Sequence, residues 1–220
     1  FQDLKALWHL YRFIRRGRYH IVHTHISKAG ILGRLAAYCA GVPRIVHTYH
    51  GDIFEGYFGP LRSALFLGVE RLAGLVTDRF VVVSKALQTR YRGYRVGRRG
   101  AFFTVPNGIW IDSFPSPTSE ARNGLRVGTA AMFYPIKRVD LFLEVAHRVL
   151  YRRSDAEFML AGGGPEEATL RQIARGLGDP VRFLGVRYDV SELLSTLDVF
   201  VLCSDFEGAG IGVMEAMLAG

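Results

Sequence analysis

The segment Cys203-Ser-Asp-Phe-Glu207-Gly-Ala-Gly-Ile-Gly-Val-Met-Glu215-Ala-Met sets two carboxylates on either side of a glycine-rich stretch that runs into an apolar helical pattern. The first turn of such a helix presents backbone N–H groups without partners, and these groups together with the helix dipole bind anions. A diphosphate resting on that helix start, with Glu207 and Glu215 accepting hydrogen bonds from sugar hydroxyls, is the chemistry the arrangement suits. Lys137, just past an earlier strand, would add the positive charge that a departing diphosphate needs. The plain alternative makes Glu215 a solvated helix residue and Lys137 a surface lysine.

A second group of polar residues stands where strands end. His23, Thr24, His25, Ser27 and Lys28 follow one extended run, and His47, Thr48, His50, Gly51 and Asp52 follow the next. Ligands of open parallel sheets bind beyond the carboxyl ends of strands, so these are the side chains to weigh. Three readings are open: a metal site, simple strand-end histidines, and a polar ligand pocket. The pocket is preferred, with His50 its best candidate because Gly51 lets a ligand approach the backbone. Zinc would want Cys or carboxylate partners, and only Asp52 is near.

Other glycine patterns exclude whole classes. A dinucleotide fingerprint would need Gly where Glu167 follows Gly162 and Gly164, and where Val213 follows Gly208 and Gly210, so a nicotinamide dehydrogenase does not fit. The phosphate loop of an ATPase is missing too. Ala161-Gly-Gly-Gly-Pro165 by itself is a weak anion signal. Asp205-Phe-Glu207 reads as a short acidic motif of the kind that holds Mg or Mn, but the helix start behind it suits backbone anion binding better.

These residues need a scaffold. Leu4, Leu7, Trp8, Tyr11 and Ile14 recur with helical period, ending at Gly17. Extended runs over 19–25 and 44–49 flank a helix over 28–40. Pro60 opens a helix with Leu61, Leu65, Val69 and Leu72 down one side, and a run over 80–83 closes on Ser84, a good N-cap. The second half repeats the rhythm, with strands over 125–131, 157–161, 182–184 and 199–203 and helices over 139–151, 166–174, 191–197 and 213–218. Such alternation means parallel sheets covered by helices, an α/β class. The expected organisation is one domain over 1–112, a Pro- and Ser-rich linker over 113–124 and a second domain over 125–220.

Charge is divided unevenly. Residues 1–110 hold 17 basic and 5 acidic side chains, net +12, whereas 111–220 hold 11 and 15, net −4. Arg supplies 24 of the 28 basic residues, which favours planar recognition of phosphate or carboxylate. The tract Arg90-Tyr-Arg-Gly-Tyr-Arg-Val-Gly-Arg-Arg99 is read as a basic surface for anionic lipid headgroups or a phosphorylated lipid acceptor, with a solvated loop as the alternative and no nucleic acid as partner. Cys39 and Cys203 form neither a disulfide scaffold nor a zinc motif, and no apolar run reaches membrane-spanning length. A cytoplasmic protein, peripheral at the inner face of the membrane, is the expected location. A chain that begins at Phe1 and stops at Gly220 after an apolar helical pattern is expected to be a fragment.

Several ordered motifs resemble one family. His20-Ile-Val-His-Thr-His25-Ile-Ser-Lys28-Ala-Gly, Gly41-Val-Pro-Arg-Ile-Val-His47-Thr-Tyr-His50-Gly, Thr77-Asp-Arg-Phe-Val-Val-Val-Ser84 and Val105-Pro-Asn-Gly108 resemble the acceptor-side domain of family 4 glycosyltransferases. Pro135-Ile-Lys137, Leu160-Ala-Gly-Gly-Gly-Pro165, Asp198-Val-Phe-Val-Leu202 and Glu207 through Glu215 are similar to their donor-side domain. The resemblance implies the GT-B arrangement of two Rossmann-like domains facing a cleft, both incomplete here, with retention at the anomeric carbon and no metal or other cofactor. It places Glu207 on the donor sugar, Glu215 on the ribose, Lys137 and the amides near Gly210 and Ile211 on the diphosphate, and the base near Arg187. His50 matches the acceptor-side histidine close to the transferred sugar, with His25 and Lys28 on the same side. The family often has Arg where this chain has Met132, so a diphosphate contact is either missing or supplied by Arg138.

The resulting expectation is a hexosyl transferase that moves sugar from a nucleotide diphosphate, with UDP-linked donors favoured, to a glycan or lipid-linked acceptor in surface polysaccharide or glycolipid synthesis. The 220 residues alone are expected to be inactive. A non-catalytic module for anionic ligands and a nucleotide-sugar epimerase of the same fold are the rivals.

Overall fold

The computed structural model describes residues 2–52, 54, 59–98, 101–111, 114–115 and 124–220. Of the expected linker, 113–124, only residues 114, 115 and 124 are among those described. The chain divides into two compact units, Phe1–Asn107 and Gly108–Gly220.

The first unit runs α1 (Gln2–Gly17), β1 (Ile21–His25), α2 (Ser27–Cys39), β2 (Arg44–Tyr49), α3 (Pro60–Leu75), β3 (Arg79–Val82), α4 (Lys85–Gly93) and β4 (Phe102–Thr104). Its four strands are parallel and lie in the order β1-β2-β3-β4. Because the chain crosses the sheet in one direction, right-handed crossovers deliver the connecting helices to a single face. β2 records this: His47 lies under Gly30 of α2, while the Tyr49 ring stacks on Tyr91 of α4 and its hydroxyl donates to Glu70 of α3. On the opposite face Ile21, His23, His25 and Phe103 are exposed. Ser84 caps α4 as its sequence position predicts, accepting from the Leu87 amide at 3.2 Å.

The second unit runs β5 (Arg126–Ala130), α5 (Val139–Leu150), β6 (Glu157–Ala161), α6 (Glu167–Ala174), β7 (Val181–Gly185), α7 (Val190–Ser195), β8 (Val199–Phe200) and α8 (Ile211–Ala219). Its parallel order is β7-β6-β5-β8. Here the chain moves outward from β5 to β7 and then returns to the other side of β5, so helices cover both faces. Phe142, Leu143 and Leu170 pack with Val127, Phe158 and Leu160 on one face, and Leu193 packs with Met159 and Ala161 on the other. Burial on both sides explains the unbroken apolar run Phe-Met-Leu-Ala within β6. Strand β8 is shorter than the expected 199–203: only Val199 and Phe200 pair with β5 before the chain leaves the sheet.

Candidate active site

In the second unit, the loops after β5 and β8 leave neighbouring strands whose connections run to opposite sides of the sheet. Such a switch point opens a crevice at the carboxyl edge. The β5 loop ends in a 3₁₀ turn, Pro135–Lys137, followed by Arg138 in left-handed conformation at φ 47°. The β8 loop carries Ser204, Asp205 and Glu207 and ends at Gly210, whose φ of 59° suits glycine.

Charged contacts join the two loops. Lys137 Nζ donates to Glu207 Oε1 at 2.7 Å, and Ser204 Oγ donates to the same oxygen at 2.7 Å. Arg138 Nη1 lies 3.2 Å from Asp205 Oδ1, and the Asp205 amide donates to Ile136 O at 2.9 Å. Each acid of the Asp-Phe-Glu motif is therefore held by a different cation. Lys137 and Glu207 are both partly buried, and the ammonium has donors beyond the one aimed at Glu207. Arg138 is also locked onto Asp140, which holds that carboxyl below its usual range. Met132, half-exposed, offers no charge of its own.

Helix α8 begins over the ends of β5 and β8. A Cβ on Gly212 would touch Phe200 Cζ at 3.5 Å and Ala130 O at 4.0 Å. Gly210 and Ile211 thus place first-turn amides, which lack intrahelical partners, on the loop that carries Glu207. Glu215 sits one turn further along, and burial raises its pKa. Arg187 follows β7 at the far edge of the sheet, two strands from β5, where it forks onto Asp189 with Nε 2.7 Å from Oδ1.

The triple-glycine loop has a supporting task. Gly162 and Gly164 adopt φ of +142° and +154°, and a Cβ on Gly162 would come within 1.8 Å of Ala131 O. The Phe133 amide donates to Gly163 O at 2.9 Å, and the Glu166 amide donates to Phe133 O at 3.1 Å. Backbone packing against the β5 loop consumes this turn, which accounts for its glycines without a phosphate.

In the first unit the predicted histidines come together. His25 Nδ1 lies 3.0 Å from His50 Nε2, so one ring donates and the other accepts, and His23 Nε2 pairs with Thr48 Oγ1 at 2.7 Å. Burial first, and the neighbouring His25 second, lower the His50 pKa and favour its neutral ring. Ile26, at φ 62°, is a β-branched residue in the left-handed region between His25 and helix α2, the kind of strain found at binding sites. Lys28 is drawn off to Asp3 of α1 at 2.8 Å, an exposed pair. His47 faces the interior instead. Its Nδ1 meets Thr24 Oγ1 at 2.8 Å and its pKa falls to about 2, through burial and then the Arg34 charge.

Sequence spacing did not single out the clamp behind His50. Asp52, buried, accepts from Arg90 Nη1 at 2.9 Å, from Tyr94 Oη at 2.6 Å and from the Phe54 amide at 2.9 Å. Tyr91 Oη donates to Gly51 O at 3.2 Å. Arg90, read with the basic tract as surface, is therefore a structural partner of Asp52, while Arg92, Arg95 and Arg98 are exposed. Ser204 was missed as well; only its place after a strand could have marked it. Among the described residues, no group of three or more His, Cys, Asp or Glu side chains is arranged to hold a metal ion.

Comparison with known proteins agrees with this architecture. Residues 2–113 match the model of Glycosyltransferase Family 4 and residues 124–220 that of Glycosyl transferases group 1. The Escherichia coli UDP-Gal:alpha-D-GlcNAc-diphosphoundecaprenol alpha-1,3-galactosyltransferase is 30% identical over 234 residues, covering 100% of this chain and 60% of its own length. A Corynebacterium glutamicum GDP-mannose-dependent monoacylated alpha-(1-6)-phosphatidylinositol monomannoside mannosyltransferase is 25% identical over 82% of this chain and 51% of its own. Among solved structures, Anabaena HepE in complex with UDP and glucose superposes with a TM-score of 0.81 at 23% identity, covering 97% of this chain and 60% of that one. The chain thus spans about 60% of the length of the first of these relatives. With its two parallel-sheet units and a family model matched over more than half its length, the chain belongs to glycosyltransferase family 4 and has the GT-B fold.

Proposed function

We propose that the protein transfers a hexosyl group, with retention and without a metal, from a nucleotide diphosphate to a lipid-linked or glycan acceptor in surface polysaccharide or glycolipid synthesis. The observation that carries this reading is the Lys137–Glu207 contact at the β5/β8 switch point, on the loop that ends in the α8 amides. The leaving diphosphate rests on the amides of Gly210 and Ile211 and on Lys137, which stabilise its growing charge. Glu207 holds the donor sugar through its oxocarbenium-like transition state. Glu215 accepts from the ribose and Arg187 borders the base, while His50, with His25 and Lys28, belongs to the acceptor side.

UDP-linked donors are favoured, because one relative is named for UDP-Gal and HepE is bound to UDP. Lipid-linked acceptors are favoured because two relatives are named for undecaprenol and phosphatidylinositol substrates. The lipid-linked substrates for which these relatives are named favour a place at the cytoplasmic face of the membrane as a peripheral protein; no helix among the described residues is long and apolar enough to cross a membrane.

The test is a panel of nucleotide sugars given to the protein at its natural full length, with release of nucleotide and anomeric configuration of the product measured. Glu207→Ala and Lys137→Ala are each expected to cut turnover by about 10²–10³. Turnover unchanged in Glu207→Ala sinks the site assignment.

A further inference from the structure

Two donors meet one carboxylate oxygen in the candidate site. Ser204 Oγ and Lys137 Nζ each donate to Glu207 Oε1 at 2.7 Å, a length typical of hydrogen bonds strengthened by charge. Among the described residues, Glu207 Oε2 accepts from none. One oxygen is doubly held, and the other is left for a ligand.

The two donors are mounted differently. Lys137 carries its ammonium on a flexible four-carbon stem, and in the proposed reaction the departing diphosphate draws on that charge. Ser204 has a short side chain on backbone that is pinned from both directions. Before it, the Val201 amide donates to Gly128 O at 2.9 Å, and Val201 and Cys203 pack on the core of the second unit. After it, the Asp205 amide donates to Ile136 O at 2.9 Å, and the Asp205 carboxylate meets Arg138 at 3.2 Å. Glu207 itself opens the stretch Glu207-Gly-Ala-Gly210, whose glycines add backbone freedom, so its carboxylate needs a fixed partner from outside that stretch. Ser204, three residues earlier, supplies one. A loop serine commonly bonds neighbouring backbone groups. This hydroxyl donates instead to the carboxylate that the proposed reaction puts on the donor sugar.

We propose that Ser204 is a positioning residue for Glu207: when Lys137 turns its charge to the diphosphate, the Ser204 hydroxyl keeps Oε1 in place and so presents Oε2 to the donor sugar. The inference rests on the transferase reading above and adds a residue to it. A misplacement of about 1 Å can cost on the order of a hundredfold in rate, so a short, rigid donor has a large effect without touching substrate.

The experiment uses the protein at its natural full length with the nucleotide sugar that it turns over. Ser204→Ala is expected to lower kcat by about 10- to 100-fold. Melting and the affinity for the free nucleoside diphosphate should not change, because Lys137 and the α8 amides hold that ligand without Ser204. Ser204→Thr, which keeps the hydroxyl, should restore most of kcat. In a Glu207→Ala background, single-turnover rates should show no further loss on adding Ser204→Ala, since the serine acts only through that carboxylate. A crystal structure with the nucleoside diphosphate that stabilises the protein most should keep the Ser204–Glu207 contact while Lys137 lies on phosphate. Full kcat in Ser204→Ala, a loss that Ser204→Thr does not repair, an equal further loss in the Glu207→Ala background, or a serine turned away from Glu207 in the complex would each overturn the inference and leave the transferase reading in place. Unchanged turnover in Glu207→Ala, or a diphosphate absent from the α8 amides, overturns that reading and this inference with it.

Discussion

Two buried groups in the first unit set measurable properties. His47 stays neutral in the fold, with its pKa pushed from 6.5 to about 2 by burial and by Arg34. The unfolded chain takes up that proton below about 6.5 and the folded chain does not until about pH 2, so stability falls as pH drops through this window. The slope from one proton is about 1.4 kcal/mol per pH unit. Stability from urea unfolding should begin to fall near pH 7 and approach this slope by pH 5, and His47→Gln should remove the His47 share. Arg34 and Glu70 are fully buried and joined. Arg34→Met leaves Glu70 buried and unpaired and is expected to cost about 3–5 kcal/mol, whereas adding Glu70→Leu should restore most of it. Denaturation of the single and double variants decides this.

Loops and helices explain how the candidate site is held. Gly162 touches no substrate in the proposed reaction, yet it lets the turn after β6 pack under the loop that ends in Lys137. Gly162→Ala puts a Cβ against Ala131 O at a φ that side chains rarely adopt, and should destabilise by about 2–4 kcal/mol and lower turnover with it. A melting curve and an assay on one sample test both. The periodicity of α3 predicted a helix correctly but left its buried side open, because hydropathy ranks leucine as core and glutamate as surface. The Arg34 and Tyr49 partners that invert this ranking are 36 and 21 residues from Glu70. Strand β4 escaped notice because three residues are too few to show a period, and β8 was read too long because its apolar run continues into the loop.

Each of the two units has its own core, and the +12 and −4 halves divide close to the same boundary. A nucleotide diphosphate held by the second unit should therefore raise the transition of that unit selectively. At a concentration about a hundredfold above Kd the gain is about 2.7 kcal/mol, or roughly 5–10 °C. Calorimetry of the full-length protein with UDP, GDP and ADP would identify the base, and Lys137→Ala should shrink the shift.

Alternating strand and helix patterns were enough to establish parallel sheets and to list most of the residues that stand at their carboxyl edges. These are local properties, since periodicity and capping act within one element and crossovers have a fixed hand. Which of those residues touch one another was a matter of strand order. Lys137 and Glu207 are 70 residues apart and meet because β8 returns to the free side of β5, a choice made by how both faces of the sheet are buried. The same holds for His25 with His50, for Asp52 with its clamp, and for the leucines of α3, whose exposure follows from an ion pair formed across three elements.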